Sequence, residues 1–194
     1  LQNIPLKNIC MTVFGKKLRG EMMLTPYGIE GGLVYTFGSL IRSEIKKQGQ
    51  CTFFLDFLPD WTIEKIKERL GDGPGKESLA NYFRKKLNID ATCLSLLREN
   101  ESLENLKNPR IVSKLIKQVP LSVYRSRPIS EAISSAGGVC FSELNESLML
   151  KNYPGFFCAG EMLDWEAPTG GFLIQGCFTT AYRAAKGVVS WLKL

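Results

Sequence analysis

The stretch Gly155-Phe-Phe-Cys-Ala-Gly-Glu-Met-Leu-Asp-Trp-Glu-Ala-Pro-Thr-Gly-Gly-Phe-Leu-Ile-Gln-Gly176 decides the fold of this chain. It begins with an apolar run, residues 156–159, which is bounded by glycines and predicts a strand buried on both faces. An acidic, glycine-rich turn follows, and from Phe172 the pattern is helical as far as Trp191. A buried strand, a tight glycine turn and a long helix are typical of half a nucleotide-binding unit.

The turn in this stretch has the composition of a ligand site. Glycine lacks a Cβ, so Gly170 and Gly171 let the backbone approach a flat ligand closely. The helix that starts here presents free N–H groups and a positive partial charge to such a ligand. Acidic side chains precede the glycines at Glu161, Asp164 and Glu166. The residues therefore favour a cofactor-binding turn.

Three segments carry a resemblance to a known family. Ala159-Gly-Glu-Met-Leu-Asp164, followed by Ala167-Pro-Thr-Gly-Gly171, resembles the C-terminal flavin-binding motif of the BaiN-type FAD-dependent oxidoreductases, also called aminoacetone-oxidase-family flavoproteins. Tyr27-Gly-Ile-Glu-Gly-Gly32 adds a likeness to an uncharacterised subfamily of that group. The resemblance covers most of the chain. It implies that FAD is the cofactor and that part of the chain is a Rossmann-like FAD-binding domain.

The resemblance also implies a cofactor site. Its residues are Gly160, Glu161, Asp164, Pro168, Thr169, Gly170, Gly171, Phe172 and Leu173. Glu161 would accept hydrogen bonds from the ribityl hydroxyls, each charge-assisted and worth ~1.5–3 kcal/mol. The backbone N–H groups of residues 170–172 would line the N1–C2=O2 edge of the isoalloxazine. A helix N-terminus stabilises an adjacent anion by up to ~2 kcal/mol, which favours the reduced flavin.

Other roles stay open at this point. For Asp164 and Glu166 the alternative is a solvated turn acid without a ligand. The glycine-rich turn 25–32 is either a loop that faces flavin or substrate, or a turn that needs positive φ. No side chain is a convincing general base, so the catalytic residues are unassigned and the cofactor would carry the chemistry.

The patterns along the chain predict an α+β fold with two domains. The resemblance implies that residues 1–127 form a β-rich insert domain with a helical subdomain at about 60–118, and that residues 128–194 form the C-terminal strand–helix part of the FAD-binding domain. The expected elements are a hairpin in 7–25, a helix at 33–47, strands at 51–59 and 120–125, helices at 62–70, 76–87, 90–99 and 109–118, and a short hairpin at 145–152. Asp60 and Asp90 are the expected N-caps.

The adenosine side of FAD is normally held by a strand, a G-x-G-x-x-G turn and a helix. The 194 residues contain no such unit, and Gly71-Asp-Gly-Pro-Gly75 lacks its spacing. We therefore expect the C-terminal portion of a longer flavoenzyme, inactive alone and with FAD absent or weakly bound. Its partners would be the missing N-terminal half and a small-molecule substrate, with NAD(P)H as one candidate electron donor and a homodimer left open.

Composition narrows the remaining classes. No apolar run approaches the ~20 residues of a membrane span and no signal peptide is evident, so we expect a cytoplasmic protein whose six cysteines are reduced. The absence of histidine excludes histidine dyads and histidine metal sites within this chain, and we expect no metal site.

Charge raises one alternative to the flavoenzyme. Residues 1–127 hold 21 basic and 13 acidic residues, whereas residues 128–194 hold 4 and 6. The basic segment would suit a non-enzymatic interaction module that binds nucleic acid or a protein. Its charges alternate in sign along the predicted helices, which is typical of solvated helix faces and makes nucleic acid the weaker prediction.

Overall fold

The computed structural model describes residues 3–193. The chain divides into two compact units, and the division falls between Arg125 and Ser126. Within the described residues it contains a five-stranded antiparallel sheet and six α-helices, so the predicted mixture of helix and sheet is confirmed. The assignment of the first unit as an insert domain remains a prediction. Among residues 3–193 no helix combines the length and apolarity needed to cross a bilayer.

All five strands lie in the first unit. They are β1 Ile4–Val13, β2 Lys16–Thr25, β3 Gly28–Glu30, β4 Cys51–Asp56 and β5 Val119–Val123, in the spatial order β3-β2-β1-β4-β5. The hairpin β1–β2 turns at Phe14 and Gly15, with φ of 48° and 77°. Two successive residues with positive φ are typical of the two-residue turns that match strand twist. The predicted hairpin is confirmed, and part of the turn 25–32 is the short strand β3.

The helices are α1 Gly32–Gln48, α2 Ile63–Leu70, α3 Leu79–Leu87, α4 Ala91–Asn100, α5 Pro109–Lys117 and α6 Gly171–Leu192. Asp90 caps α4 as predicted, since its carboxylate accepts the Cys93 N–H at 2.8 Å. The prediction for Asp60 is wrong, because α2 is capped by Thr62. Both Asp60 oxygens accept hydrogen bonds from the Arg19 guanidinium, each at 2.6 Å.

One hydrophobic core serves the whole first unit. Helix α1 packs on β1, β2 and β4, while α5 packs on β4 and α4 on β5. The sheet contributes Met11, Val13, Phe53 and Leu55, all fully buried, and the helices contribute Leu33, Ile66, Phe83, Leu97 and Ile116 to the same cluster. The predicted helical subdomain therefore has no core separate from that of the sheet.

A buried ion pair joins β4 to α5. The Asp56 side chain is 3% exposed, and the Lys117 ammonium, 18% exposed, lies 2.7 Å from its Oδ2. Lys117 donates its hydrogen bond to the Leu58 carbonyl at 2.8 Å, and the Leu58 N–H donates to Asp56 Oδ1 at 3.0 Å. The Lys117 ammonium is nearer to Oδ2 than that of Lys17, which lies 3.8 Å away, so the charge of Asp56 is balanced chiefly by Lys117.

The second unit is built around a small core without a regular sheet. Its buried side chains are Leu144, Leu148, Cys158, Leu163 and Ala184. The predicted hairpin at 145–152 is present, with the Asn145 N–H donating to the Met149 carbonyl and Leu148 buried. The long predicted helix is confirmed as α6.

The predicted strand at 156–159 is wrong. Phe156 is 65% exposed, and the segment forms one isolated antiparallel bridge, between Phe157 and Met149. A strand buried on both faces needs a neighbour on each side to pair its backbone groups. Residues 126–193 supply the segment 156–159 with a single bridge instead of a ladder, so this segment is irregular.

The six cysteines are free thiols with very different surroundings. Burial raises the pKa of the Cys51 thiol, with a smaller contribution from Glu44. Burial, with the charge of Asp90, raises the pKa of Cys93 to about 12. Cys140 is exposed.

These surroundings predict an order of alkylation. At pH 8 the thiolate fraction of Cys51 and Cys93 is suppressed, because a raised pKa keeps a thiol protonated below it. We therefore expect iodoacetamide to label Cys140 first and Cys51 and Cys93 last, as followed by peptide mass spectrometry. In guanidinium all six should react alike. Labelling of native Cys93 as fast as Cys140 would contradict the packing around α4.

Candidate functional site

The nine predicted site residues lie in the second unit, in two adjacent structures. Gly160, Glu161 and Met162 form a single 3-10 turn that packs against α6. Pro168 to Gly170 form the loop before α6, and Gly171 to Leu173 are its first three residues. Leu173 is buried, whereas Phe172 is 85% exposed. The buried side chain of Leu173 therefore cannot face a ligand, whereas its backbone can.

The start of α6 has no side-chain cap. Gly170 is its N-cap residue, with φ of 133°, and the first turn contains no acidic residue. Helix α1 starts in the same way, at Gly31 and without a side-chain cap, whereas the side chains of Thr62, Ser78, Asp90 and Asn108 cap α2 to α5. A Cβ built at Gly170 or Gly171 would meet no atom within 4 Å, so the space beside both is open. The helix start thus offers N–H donors and positive potential to an approaching anion.

The two predicted carboxylates differ in their contacts. Glu161 is exposed and forms no salt bridge within residues 3–193. The Asp164 carboxylate is also exposed and lies 3.7 Å from the Cys140 thiol, a weak contact. The Asp164 N–H donates to the Val139 carbonyl at 2.9 Å. Asp164 therefore stabilises the turn through its backbone, and the side chains of both acids are exposed.

The segment 134–139 borders the predicted site at two points. The Ser134 and Thr169 hydroxyls lie 3.2 Å apart in a hydrogen bond, and the Val139 N–H donates to the Met162 carbonyl at 2.8 Å. A Cβ at Gly138 would lie 2.4 Å from that same carbonyl oxygen, so only glycine fits there. None of the nine predicted site residues lies in this segment, which the structure places as a wall beside them.

Two glycines of α6 have roles that the sequence did not predict. A Cβ at Gly176 would lie 2.3 Å from the indole of Trp165, and one at Gly187 would lie 2.7 Å from Ser147. Both glycines therefore receive side chains from irregular segments. The sequence feature that indicates the first of these contacts is a large residue in the motif, Trp165, together with a small residue on the helix, Gly176.

The site's donors and acceptor fit part of FAD. The Gly160 peptides lie beside Cys177 and Thr180, six to nine residues into α6, or about 9–14 Å from the helix start along its axis. N–H donors at one end and a carboxylate at the other suit an elongated ligand more than a single ion. A ring with an anionic edge, followed by a hydroxylated chain, has the matching chemistry.

The candidate site thus consists of a long helix that starts at glycine and an exposed acid on a turn packed against that helix. Residues 11–187 match the family model described as the HI0933-like protein Rossmann domain, so the chain belongs to this family. It is similar to the 3-dehydro-bile acid delta(4,6)-reductase of Clostridium scindens, with 29% identity over 178 residues. The match covers 86% of this chain and 43% of that relative's length.

These comparisons establish the family of the chain. The family match and the reductase relative support a flavoprotein oxidoreductase family, as the resemblance predicted. The BaiN-type subfamily and the nine site residues remain predictions.

Proposed function

We propose that this chain supplies the ribityl and isoalloxazine side of the FAD site in a flavin-dependent oxidoreductase. The observation that carries the proposal is the uncapped start of α6 together with the exposed Glu161 on a turn packed against the same helix. FAD, when bound, supplies the electron transfer. Residues 1–127 would form the insert domain that shapes the substrate site.

The chain's own residues would bind and orient the cofactor. The N–H groups of Gly171, Phe172 and Leu173 would donate hydrogen bonds to the anionic edge of the ring. Glu161 would accept hydrogen bonds from the ribityl hydroxyls. The Pro168–Thr169 turn is held by Ser134, which keeps the wall 134–139 beside the helix start. Asp164 acts from the turn's backbone.

The rest of the site would come from a further portion of the protein. Ile174, Phe178 and Tyr182 form an exposed apolar stripe on α6, on the side opposite the buried Leu173 and Ala184. A helix that is apolar on both sides is normally buried on both sides. We propose that the stripe is covered by the portion that holds the adenosine side of FAD, and that the chain alone binds FAD weakly.

The proposed reaction is a transfer of electrons to or from a small organic substrate in the cytoplasm, with a reduced nicotinamide or a small organic donor. The curated relative is named as a reductase, which favours this class. The interaction-module alternative has less support. Lys17, Arg19, Lys85 and Lys117 of the basic segment each lie within salt-bridge distance of a carboxylate of the same unit.

The experiment that tests the proposal is Glu161→Ala in the full-length protein. Loss of a charge-assisted hydrogen bond should weaken FAD binding roughly 10- to 100-fold. Titration of the apoprotein with FAD, followed by flavin fluorescence, measures this, and circular dichroism checks the fold. Glu143→Ala is the control, because Glu143 is exposed in another 3-10 turn of the same unit. An unchanged affinity for Glu161→Ala would remove Glu161 from the site.

A further inference from the structure

The two peptide groups that flank Gly160 are each held by a hydrogen bond to a side chain. The Gly160 N–H donates to the Thr180 hydroxyl at 2.9 Å, and the indole N–H of Trp165 donates to the Gly160 carbonyl at 2.8 Å. The second peptide contains the backbone nitrogen of Glu161. Gly160 itself has φ of 67°, a left-handed conformation that glycine adopts readily. The contacts thus fix the backbone immediately before the Glu161 side chain.

Thr180 is oriented for this role by its own helix. Its hydroxyl lies 2.8 Å from the Gly176 carbonyl and 3.0 Å from the Cys177 carbonyl, to which it donates. A hydroxyl has one proton to donate and two lone pairs. Because the Thr180 hydroxyl donates its proton within α6, its oxygen has a lone pair free to accept the hydrogen bond from the Gly160 N–H.

Trp165 is positioned by the shape of the same helix. Its ring lies over Gly176, where an added Cβ would be 2.3 Å from Cη2. The missing side chain at Gly176 thus makes room for the indole whose N–H reaches Gly160. Both contacts tie the turn of Glu161 to the helix that begins at Gly171.

We propose that Thr180 and Trp165 are positioning residues that hold the Glu161 carboxylate in place relative to the start of α6, and so set the affinity for the ribityl chain of FAD. This inference rests on the proposed function. It has a physical basis: without these contacts the turn loses its fixed distance from α6, and part of the binding free energy is spent on ordering it.

The test is Thr180→Val in the full-length protein, with FAD as the titrant. Valine keeps the shape of threonine but leaves the Gly160 N–H without its acceptor, and we expect about 10-fold weaker binding. Thr180→Ser restores the acceptor and should recover most of the affinity. Thr179→Val is the matched control, because the Thr179 hydroxyl is exposed and bonds only within α6, to Gln175.

A double-mutant cycle separates positioning from general damage to the fold. If Thr180 acts through Glu161, Thr180→Val should cost less than 2-fold in a Glu161→Ala background. Trp165→Phe, which keeps a ring over Gly176 but removes the indole N–H, should behave in the same way, and it decides the question if Thr180→Val does not fold.

The failures of the two proposals are distinguishable. Unchanged FAD affinity in Glu161→Ala overturns the proposed role of Glu161, and this inference with it. Weakened binding in Glu161→Ala, with either full affinity in Thr180→Val and Trp165→Phe or losses that add to that of Glu161→Ala, overturns this inference alone.

Discussion

Replacing Lys117 with methionine should lower the free energy of unfolding of the chain by about 3–5 kcal/mol. The reason is the burial of its partner. Asp56 is 3% exposed, and the Lys117 ammonium 2.7 Å from its Oδ2 is its principal counter-charge. Lys17 lies 3.8 Å away but is 59% exposed, and an exposed cation is screened by water.

The pair is best tested by a set of variants in denaturant unfolding followed by circular dichroism. Lys114→Met is the control, because Lys114 lies on the same helix but is exposed. The double variant Asp56→Leu/Lys117→Met should recover most of the loss, since removing both charges leaves neither unpaired. A loss below about 1 kcal/mol in Lys117→Met, the range of surface ion pairs, would show that the carboxylate is not buried in solution.

The sequence predicted the local elements of the first unit well because their causes are local. The β1–β2 hairpin depends on Phe14 and Gly15, and α4 depends on the cap at Asp90 and on its apolar spacing. The Asp56–Lys117 pair was not predictable in this way. Its residues are far apart in the chain, and only the packing of α5 on β4 brings them together. The cap of α2 was missed for the same reason, since Arg19 engages Asp60.

The candidate site shows the same division between local and distant causes. The sequence predicts a role for Gly170, Gly171 and Glu161 because they belong to one contiguous motif. Ser134 and Thr180 act through contacts between the motif and residues outside it, at separations of 35 and 20 residues. The prediction of a strand at 156–159 was wrong because burial of a strand requires neighbouring strands, which an apolar composition alone does not provide.

In the full-length protein, Gly171→Asp should lower the two-electron reduction potential of the bound flavin by about 40–90 mV. The start of α6 stabilises an anion by up to ~2 kcal/mol, and a carboxylate ~4 Å from the charge of the reduced ring opposes it by up to ~4 kcal/mol at an effective dielectric constant of 20. An energy of ~1.4 kcal/mol corresponds to ~30 mV for this couple. The substitution should therefore disfavour the reduced state.

The stability of the apoprotein should not fall together with the reduction potential. A Cβ at Gly171 meets no atom within 4 Å, and its φ lies outside the left-handed region, so aspartate fits without strain. An acid in the first turn of a helix stabilises that helix by ~0.3–1 kcal/mol. The thermal midpoint of the apoprotein should thus stay level or rise while the potential falls. A damaged fold would lower both.

Gly171→Asn is the matched control for charge, because it has the shape of aspartate without its charge. We expect Gly171→Asn to shift the potential by less than half as much as Gly171→Asp, in redox titrations at the same ionic strength. Equal shifts in the two variants would assign the effect to side-chain volume beside the ring. An unchanged potential at full FAD occupancy in Gly171→Asp would place the start of α6 away from the flavin. A full charge ~4 Å from the ring must shift the reduction potential at an effective dielectric constant of about 20.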